Sequence, residues 1–492
     1  MSFPISPGIY GREIDRSAIV GSVANSIGAI VISSDKGPTG TVTLVTSNKE
    51  FIDIFGTPVP TKLGKYAALN FLEFGNRLYV ARAINDAVAS TLSVNDDQGV
   101  PVLAFTVNAH NEGAWGENLT ISTTAEDASD VFLLTVKESG IVVETWTVTR
   151  NPLQKDGYGK SQYIEDVING QSAYITVVDN TANPYTAGDV EVISDSSLAG
   201  GSDDTVAPTD AQINTEWDRF AVKEDIEISL MINGGTNANA VVHTKMITIA
   251  ESRKDCFAIL DFDSTDDTVA EMVTYAGTTL NANTSYAAIY ANWLQIYDQY
   301  NDKTLYVPPS GYIAGVFAKT AQVSEVWYAP AGERRGILNV LGVKTIFSEG
   351  DRDTLYTAKI NPIQNFPGSG IQVYGQKTLQ TAASATDRVN VRMLMITIEK
   401  ALAKALRPFV FEFNDTFTRE NISSIINNYM EDIKTRRGVY DYLTVCNTSN
   451  NTAQVIDQNK MIVDVYVKPT RVAEFIQLNA IISATGAKFT AS

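Results

Sequence analysis

Acid is concentrated in one stretch of this chain. Between residues 86 and 216 there are 21 acidic side chains and four basic ones (Lys137, Arg150, Lys155 and Lys160), a local net charge of −17 within a whole-chain net of −18. The same stretch alternates short β-forming runs with long runs of Gly, Ser, Thr, Asn and Asp. Its clearest unit is the hairpin VFLLTVK-ESG-IVVETWTVT, where Trp146 and Val148 alternate with Thr145, Thr147 and Thr149. A segment this acidic repels itself and faces water, whereas the chain on either side is nearly neutral and carries helix-type and strand-type apolar runs. The contrast predicts a β-rich, solvent-facing domain, 86–216, inserted into an α/β chain.

The flanks supply the α/β part, and 492 residues with 44% hydrophobic side chains suffice for two or three cores. Residues 1–20 read as an extended arm, because Pro4, Pro7 and Gly8 break helix and no apolar periodicity precedes Ile27. Ile27 to Ser33 (IGAIVIS) suits a buried strand. Ser47 and Glu50 form a capping box opening the helix NKEFIDIF, which Gly56 closes. A helix around Lys65–Phe74 and a strand RLYVARAI follow. From Trp217 to Gly375 the alternation resumes with a helix ending at Arg253, the strand CFAIL ending at Asp261, and the apolar segment SYAAIYANWLQIYD. Beyond residue 380, Val391, Met395, Ile398, Leu402 and Ala405 recur at helical spacing until Pro408. A second helix carries Ile422, Ile425, Ile426, Tyr429 and Ile433, with Gly438 as its C′ residue. Strands over MIVDVYV and from Val472 through Ile482 complete the block. The fold class is therefore a multidomain α/β (α+β) chain.

Composition excludes several functions. A net acidic surface does not grip nucleic acid or anionic membrane, and no apolar run reaches the 18 or so residues of a membrane span. The N-terminus lacks a basic region and has prolines in its apolar stretch, so it is not expected to be a secretory signal. Cys256 and Cys446 form no metal or redox spacing and read as free thiols. His110 lies in a polar loop and His243 in a helix, both in ordinary roles. Gly64-Lys65-Tyr66 is the nearest fragment to a phosphate loop and lacks the rest of that motif. One cluster has the form of chemistry: the strand CFAIL runs into Asp261-Phe262-Asp263-Ser264-Thr265, where open α/β sheets place ligands. D-x-D-x-T there resembles the first motif of haloacid-dehalogenase-type phosphotransferases. By that resemblance Asp261 is the nucleophile, Asp263 the acid/base and magnesium the counter-ion, with Lys344 and Gly350-Asp351-Arg352-Asp353 as later motifs. The competing expectation is that these acids solubilise a strand-to-loop junction.

Seven stretches jointly resemble the contractile tail sheath proteins of phages and phage-derived injection machines. They are Pro7-Gly8-Ile9-Tyr10 with Lys36-Gly37-Pro38, Ser47 to Gly56, Tyr79-Val80-Ala81-Arg82, ESRKDCFAILD, the run from SYAAIYANWLQIYD through VPPSGYIAGVFAKT to VWYAPAG, RVNVRMLMITIEKALAKALRPFVFEFND, and IVDVYVKPTRVAEFI. Only 86–216 lies outside them. The chain departs from the family pattern at Phe262-Asp263, where a proline usually follows the aspartate, at Met393, and at Gly332. The resemblance implies a structural, cofactor-free protein and favours a structural Asp261 over the phosphotransferase alternative. It implies a conserved core joining 21–85 to 380–477, a middle α/β domain 217–379, an outer insert 86–216, and arms 1–20 and 478–492. The arms are expected to add strands to neighbouring copies through Pro7, Gly8, Ile9, Tyr10, Leu478, Ala480 and Ile482. Implied partners are further copies in stacked hexameric rings, a tail tube protein, and baseplate and terminator or neck proteins. Neither nucleic-acid contact nor membrane insertion is expected. The implied place is the virion tail, assembled in the host cytoplasm. Residues 380–492 carry 13 basic and 11 acidic side chains, and Lys434, Arg436 and Arg437 at the end of the second helix are the expected tube-facing cations.

Overall fold

The computed structural model describes residues 26–127 and 130–478. The described residues divide into two compact units, one ending at Ala401 and the other beginning at Leu402.

The first unit opens with β1 (Ile27–Ser33), β2 (Val42–Val45), α1 (Asn48–Phe55), α2 (Gly64–Leu72) and β3 (Arg77–Ala83). After the insert come α3 (Asp210–Asp218), β4 (Leu230–Ile232), α4 (Ala240–Arg253), β5 (Phe257–Asp261), β6 (Ala287–Ala291), α5 (Ser310–Val323), β7 (Ile360–Phe366), β8 (Gly370–Val373) and α6 (Val389–Leu406). The strands form one sheet in the order β8-β7-β6-β5-β4-β1-β3-β2. Pairing is parallel from β7 to β3, and the two edge strands run antiparallel.

β1 is an unbroken apolar run because both its faces are covered. Ile30 and Ile32 enter one core with Phe51, Phe55, Phe71 and Phe317, and Ala29 and Val31 enter the other with Trp217, Met246 and Leu260. The second face is rich in alanine (Ala29, Ala81, Ala83, Ala258, Ala287), which leaves room for bulky helix side chains such as Trp217. On the first face α5 meets α2 backbone to backbone: a Cβ on Gly311 would lie 2.4 Å from the Ala67 carbonyl oxygen. Ser47 caps α1 by accepting from the Glu50 N–H, and Gly56 ends it at φ 76°.

These pairings correct the expected domain division. β1 and β3 bond into one sheet with β4, so 27–83 folds with the middle segment. Of the 380–477 segment α6 joins it, through Val389, Met393 and Ile396, whereas residues from Leu402 on belong to the other unit. A strand buried on both faces needs hydrogen-bonded neighbours on both sides, and residues 402–478 supply none to this sheet. The middle domain also starts before residue 217, since α3 packs Ile213 and Trp217 into the second core.

The insert has its own core, built from Val94, Phe105, Ile121, Phe132, Leu134, Val148, Ile164 and Val177 among others. Two antiparallel sheets enclose it, one of four strands and one of three, and the hairpin Phe132–Glu138 with Ile141–Val148 lies where the alternation places it. Its foot is tied by carboxylates. One oxygen of Asp204 accepts the N–H groups of Asn85, Asp86 and Ala87 at 2.8–2.9 Å, and Asp86 accepts the Thr205 N–H. The buried Arg82 guanidinium donates to the carbonyls of Ser34, Gly37 and Glu112. Part of the acidity is thus internal: Arg150, also buried, pairs with Asp179 at 2.7 Å.

Candidate functional site

The strand-end aspartate is a clamp. Asp261 is fully buried at the C-terminal end of β5. It accepts from the Ser310 N–H at 2.8 Å, the Ser310 hydroxyl at 2.5 Å and the Gly235 N–H at 3.0 Å. Burial pushes its carboxyl up to about 7, against the lowering pull of those donors. The crevice beside β1 and β4, where the strand order reverses, is where a sheet of this kind would take a ligand. Protein fills it: a Cβ on Gly64 would lie 2.9 Å from Thr236, and one on Gly234 would lie 2.9 Å from Ile30.

The other members of the supposed phosphotransferase set have local partners. Asp263 turns back on the Thr265 N–H and hydroxyl. Asp351 caps its own helix through Ser348, and Lys344 donates to the Ser264 carbonyl and pairs with Asp267 at 3.3 Å. Among the described residues no group of three or more His, Cys, Asp or Glu could hold a metal ion. Lys65, of the phosphate-loop-like fragment, is buried and donates to the Thr57 carbonyl, and burial pushes its ammonium down to about 8. His243 is a core residue whose Nδ1 meets the Tyr275 hydroxyl at 2.6 Å. Burial pulls its imidazole down to about 3, and Nε2 has no partner. Cys256 and Cys446 are buried free thiols.

The second unit carries the candidate assembly surfaces. α7 (Thr416–Thr435) buries Ile422, Ile425, Ile426 and Ile433 as the sequence predicts, while Met430 takes the buried place expected of Tyr429, which is half-buried. It packs on β9 (Val439–Val445), which pairs antiparallel with β10 (Asp464–Pro469). β9 escaped the sequence reading, although VYDYLTV is rich in β-formers, because Asp441 interrupts its apolar pattern. β10 overlaps MIVDVYV from Asp464 and runs two residues past it, whereas residues 472–478 form no strand and the remainder of the predicted 472–482 strand lies outside the described residues. This sheet has two strands only, so among the described residues the outer edges of both are unpaired. Beside β9 runs an open groove of about 440 Å³, lined by the stripe Glu420, Ser423, Ser424, Asn427 and Asn428 of α7 and by Thr444. The Thr444 hydroxyl is buried with no hydrogen-bond partner.

Of the residues expected to exchange strands, Pro7, Gly8, Ile9, Tyr10, Ala480 and Ile482 lie outside the described residues, and Leu478 is exposed. The three expected cations differ. Lys434 pairs with Asp441 at 3.4 Å, and Arg436 pairs with Asp432 one turn back. Arg437 is exposed and makes no ion pair among the described residues. It, and not Gly438, is the left-handed C′ residue, at φ 65°. Its N–H reaches the Lys434 carbonyl and the Gly438 N–H reaches that of Ile433, which makes a Schellman end.

Comparison with known proteins agrees with this geometry. Residues 207–379 match the phage tail sheath protein central domain, and residues 381–483 match the phage tail sheath C-terminal domain. The tail sheath protein of Enterobacteria phage T4 is 31% identical over 73% of this chain and 57% of its own length. That of Vibrio phage KVP40 is 33% identical over 73% of this chain and 56% of its own length. The chain thus spans little more than half the length of these curated relatives. Among solved structures, a sheath tail protein from Listeria innocua superposes with a TM-score of 0.62 at 11% identity, covering 92% of this chain and 97% of that one. The sheath of an extracellular contractile injection system, in its contracted state, gives 0.58 at 17% identity over 98% of both chains. At these identities the structural matches establish a shared fold.

Proposed function

This chain belongs to the phage tail sheath family, and from that premise we propose that it is the structural subunit of a contractile tail sheath. Copies stack as six-fold rings around a tail tube, and the stack shortens to drive the tube through a host envelope. The family is structural and not enzymatic. The phosphotransferase alternative therefore falls, consistent with Asp261 spending its carboxylate on α5 and the Gly234-Gly235 loop.

The two-stranded sheet of the second unit carries the reading. Unpaired strand edges present backbone donors and acceptors that call for a partner. Strands donated by neighbouring copies, from Pro7–Tyr10 and from Leu478, Ala480 and Ile482, would satisfy them by β-augmentation. The groove beside β9, with its unsatisfied Thr444 hydroxyl, gives such a strand hydrogen-bonding company. Main-chain pairing of this kind survives while domains rotate about hinges, so the mesh shortens without coming apart. Energy stored at assembly needs no nucleotide.

Partners in this reading are further copies, the tube, and the baseplate and terminator or neck proteins, on a virion tail assembled in the host cytoplasm. The acidic insert projects outward and keeps neighbouring tails apart by repulsion. Arg437 is the cation best placed for weak, salt-sensitive contact with an acidic tube. Negative-stain microscopy of the purified protein tests the proposal. Hollow tubes or stacked rings that vanish on deletion of residues 1–20 support it, and a uniform small globule at all concentrations refutes it.

A further inference from the structure

The loop between α6 and α7, with the first turn of α7, displays aromatic surface to water. Phe411, Phe413 and Phe417 are 103%, 83% and 61% exposed, and Val410 beside them is 61% exposed. Together the three rings offer on the order of 500 Å² of aromatic surface, near the upper limit for an isolated patch on a monomer and a large part of one side of a standard interface. The display is built and held. Phe411 sits at φ 77°, a backbone region that bulky residues rarely adopt. Arg419 ties the loop by donating to the Asn414 side chain at 2.7 Å, Asn414 donates to the Lys460 carbonyl at 2.8 Å, and Asp415 caps α7. Rigid aromatic anchors of this kind are the usual energetic centres of interfaces.

A complementary face lies on the first unit. The strands Leu294–Asp298 and Lys303–Val307 pair antiparallel, placing Gln295 opposite Tyr306 and Tyr297 opposite Thr304. Tyr297 is 55% exposed and Tyr306 is 40% exposed, with exposed Leu341 beside them on the neighbouring segment. These four cross-strand residues carry no charge, the nearest being Asp302 in the turn, which accepts from the Tyr297 hydroxyl at 2.5 Å. A tyrosine-bearing face with charge at its rim has the composition of an interface. We propose that the Phe411–Phe417 loop of one copy docks on the Tyr297/Tyr306 face of another. The occupant is a second copy because loop and face occur on the same chain, their chemistry matches as offset or edge-to-face aromatic pairs, and the rings offer area on the scale an interface needs. The two surfaces are different, so the contact is heterologous and propagates into rings or helical stacks instead of closing as a dimer.

The inference rests on the sheath reading, and the test separates the two. Wild type and the double variant Phe411→Ser/Phe413→Ser are compared by sedimentation and negative-stain microscopy. The substitutions are on exposed rings, and an unchanged circular-dichroism melt checks the fold. The expected result is that the variant needs about tenfold more protein, or greater, to polymerise. If wild type polymerises and the variant does so equally, the loop serves something other than a second copy and the inference fails while the sheath reading stands. If wild type forms no polymer under any condition, the sheath reading itself fails. The seat is tested by mixing singly substituted Phe413→Cys and Tyr306→Cys proteins under mild oxidation. Hetero-crosslinked species in the assembled fraction support the Tyr297/Tyr306 seat, and polymers that yield none overturn it.

Discussion

Two buried titratable groups in the first unit should oppose each other in the pH dependence of stability. Asp261 is held at about 7 by burial, above its ordinary value of 3.8, so between those values the folded chain binds a proton that the unfolded chain does not. Its contribution to stability is full below about pH 4 and is lost as pH rises toward 7. His243 runs the other way. Burial lowers it from 6.5 to about 3, so the unfolded chain binds the extra proton and stability rises with pH across that interval. Each slope is about 1.4 kcal/mol per pH unit, and over the shared window from pH 4 to 6.5 they largely cancel. Asp261→Asn removes one slope and leaves the other. Its stability relative to wild type should therefore fall by about 3 kcal/mol as pH goes from 6.5 to 4. A further cost of about 2 kcal/mol at pH 7 arises because the new amide N–H₂ points at the Ser310 or Gly235 donors. Urea unfolding at half-unit pH intervals, at protein concentrations too low for association, measures both quantities. His243→Gln should show the mirror-image profile. Parallel pH profiles for wild type and Asp261→Asn would refute the reasoning, since the carboxyl would then not be changing its proton affinity on folding.

Arg437→Gly relieves a left-handed non-glycine residue and should raise the stability of the second unit by about 1 kcal/mol, read from its thermal midpoint. The same substitution should weaken co-assembly with the tube and flatten its salt dependence, and stronger assembly would contradict a tube-facing role. Thr444→Val deletes a buried hydroxyl without a partner and should stabilise the free chain by about 1 kcal/mol in a denaturant titration, while reducing polymer formation if a donated strand bonds that hydroxyl. Asp204→Ala removes the acceptor shared by three backbone N–H groups and should open the foot of the insert by about 2 kcal/mol. Hydrogen exchange at residues 85–87 and 203–206 would report it as lost protection.

Local elements were legible where burial and capping act within a few residues. β1, α1 and the hairpin of the insert lie where periodicity and capping place them, because their patterns depend on nearest neighbours and on which faces are covered. β2 was missed because a four-residue antiparallel edge strand has little apolar signal, and β9 because Asp441 faces water in mid-strand. The error over which segments share a sheet has another origin. β1 meets β4 across about 200 residues of chain, and strand partners chosen by sheet order leave no mark in local sequence. Asp261 illustrates the same limit for the site. Its position at a strand end matched a catalytic motif, but the three donors that occupy it come from Ser310 and Gly235, distant in sequence. The Schellman end was legible as a helix stop, yet glycine preference pointed one residue too far, to Gly438.

The foot of the insert has a consequence for change over time and for engineering. The chain leaves the sheet at Asn85 and returns at Thr205, and one Asp204 carboxylate holds both ends of that excursion together. The strand pairing of the main sheet therefore sees a doorway of fixed width and not the 119 residues, 86–204, that lie between its posts. Any independently folding module whose ends come equally close could be hung there, whether a different decoration, an affinity tag or a foreign enzyme. The barrier to such an exchange is the folding of the new module and the loss of the bonds that Arg82 and Thr39 make to Glu112, because β1 and β3 keep their backbone pairing.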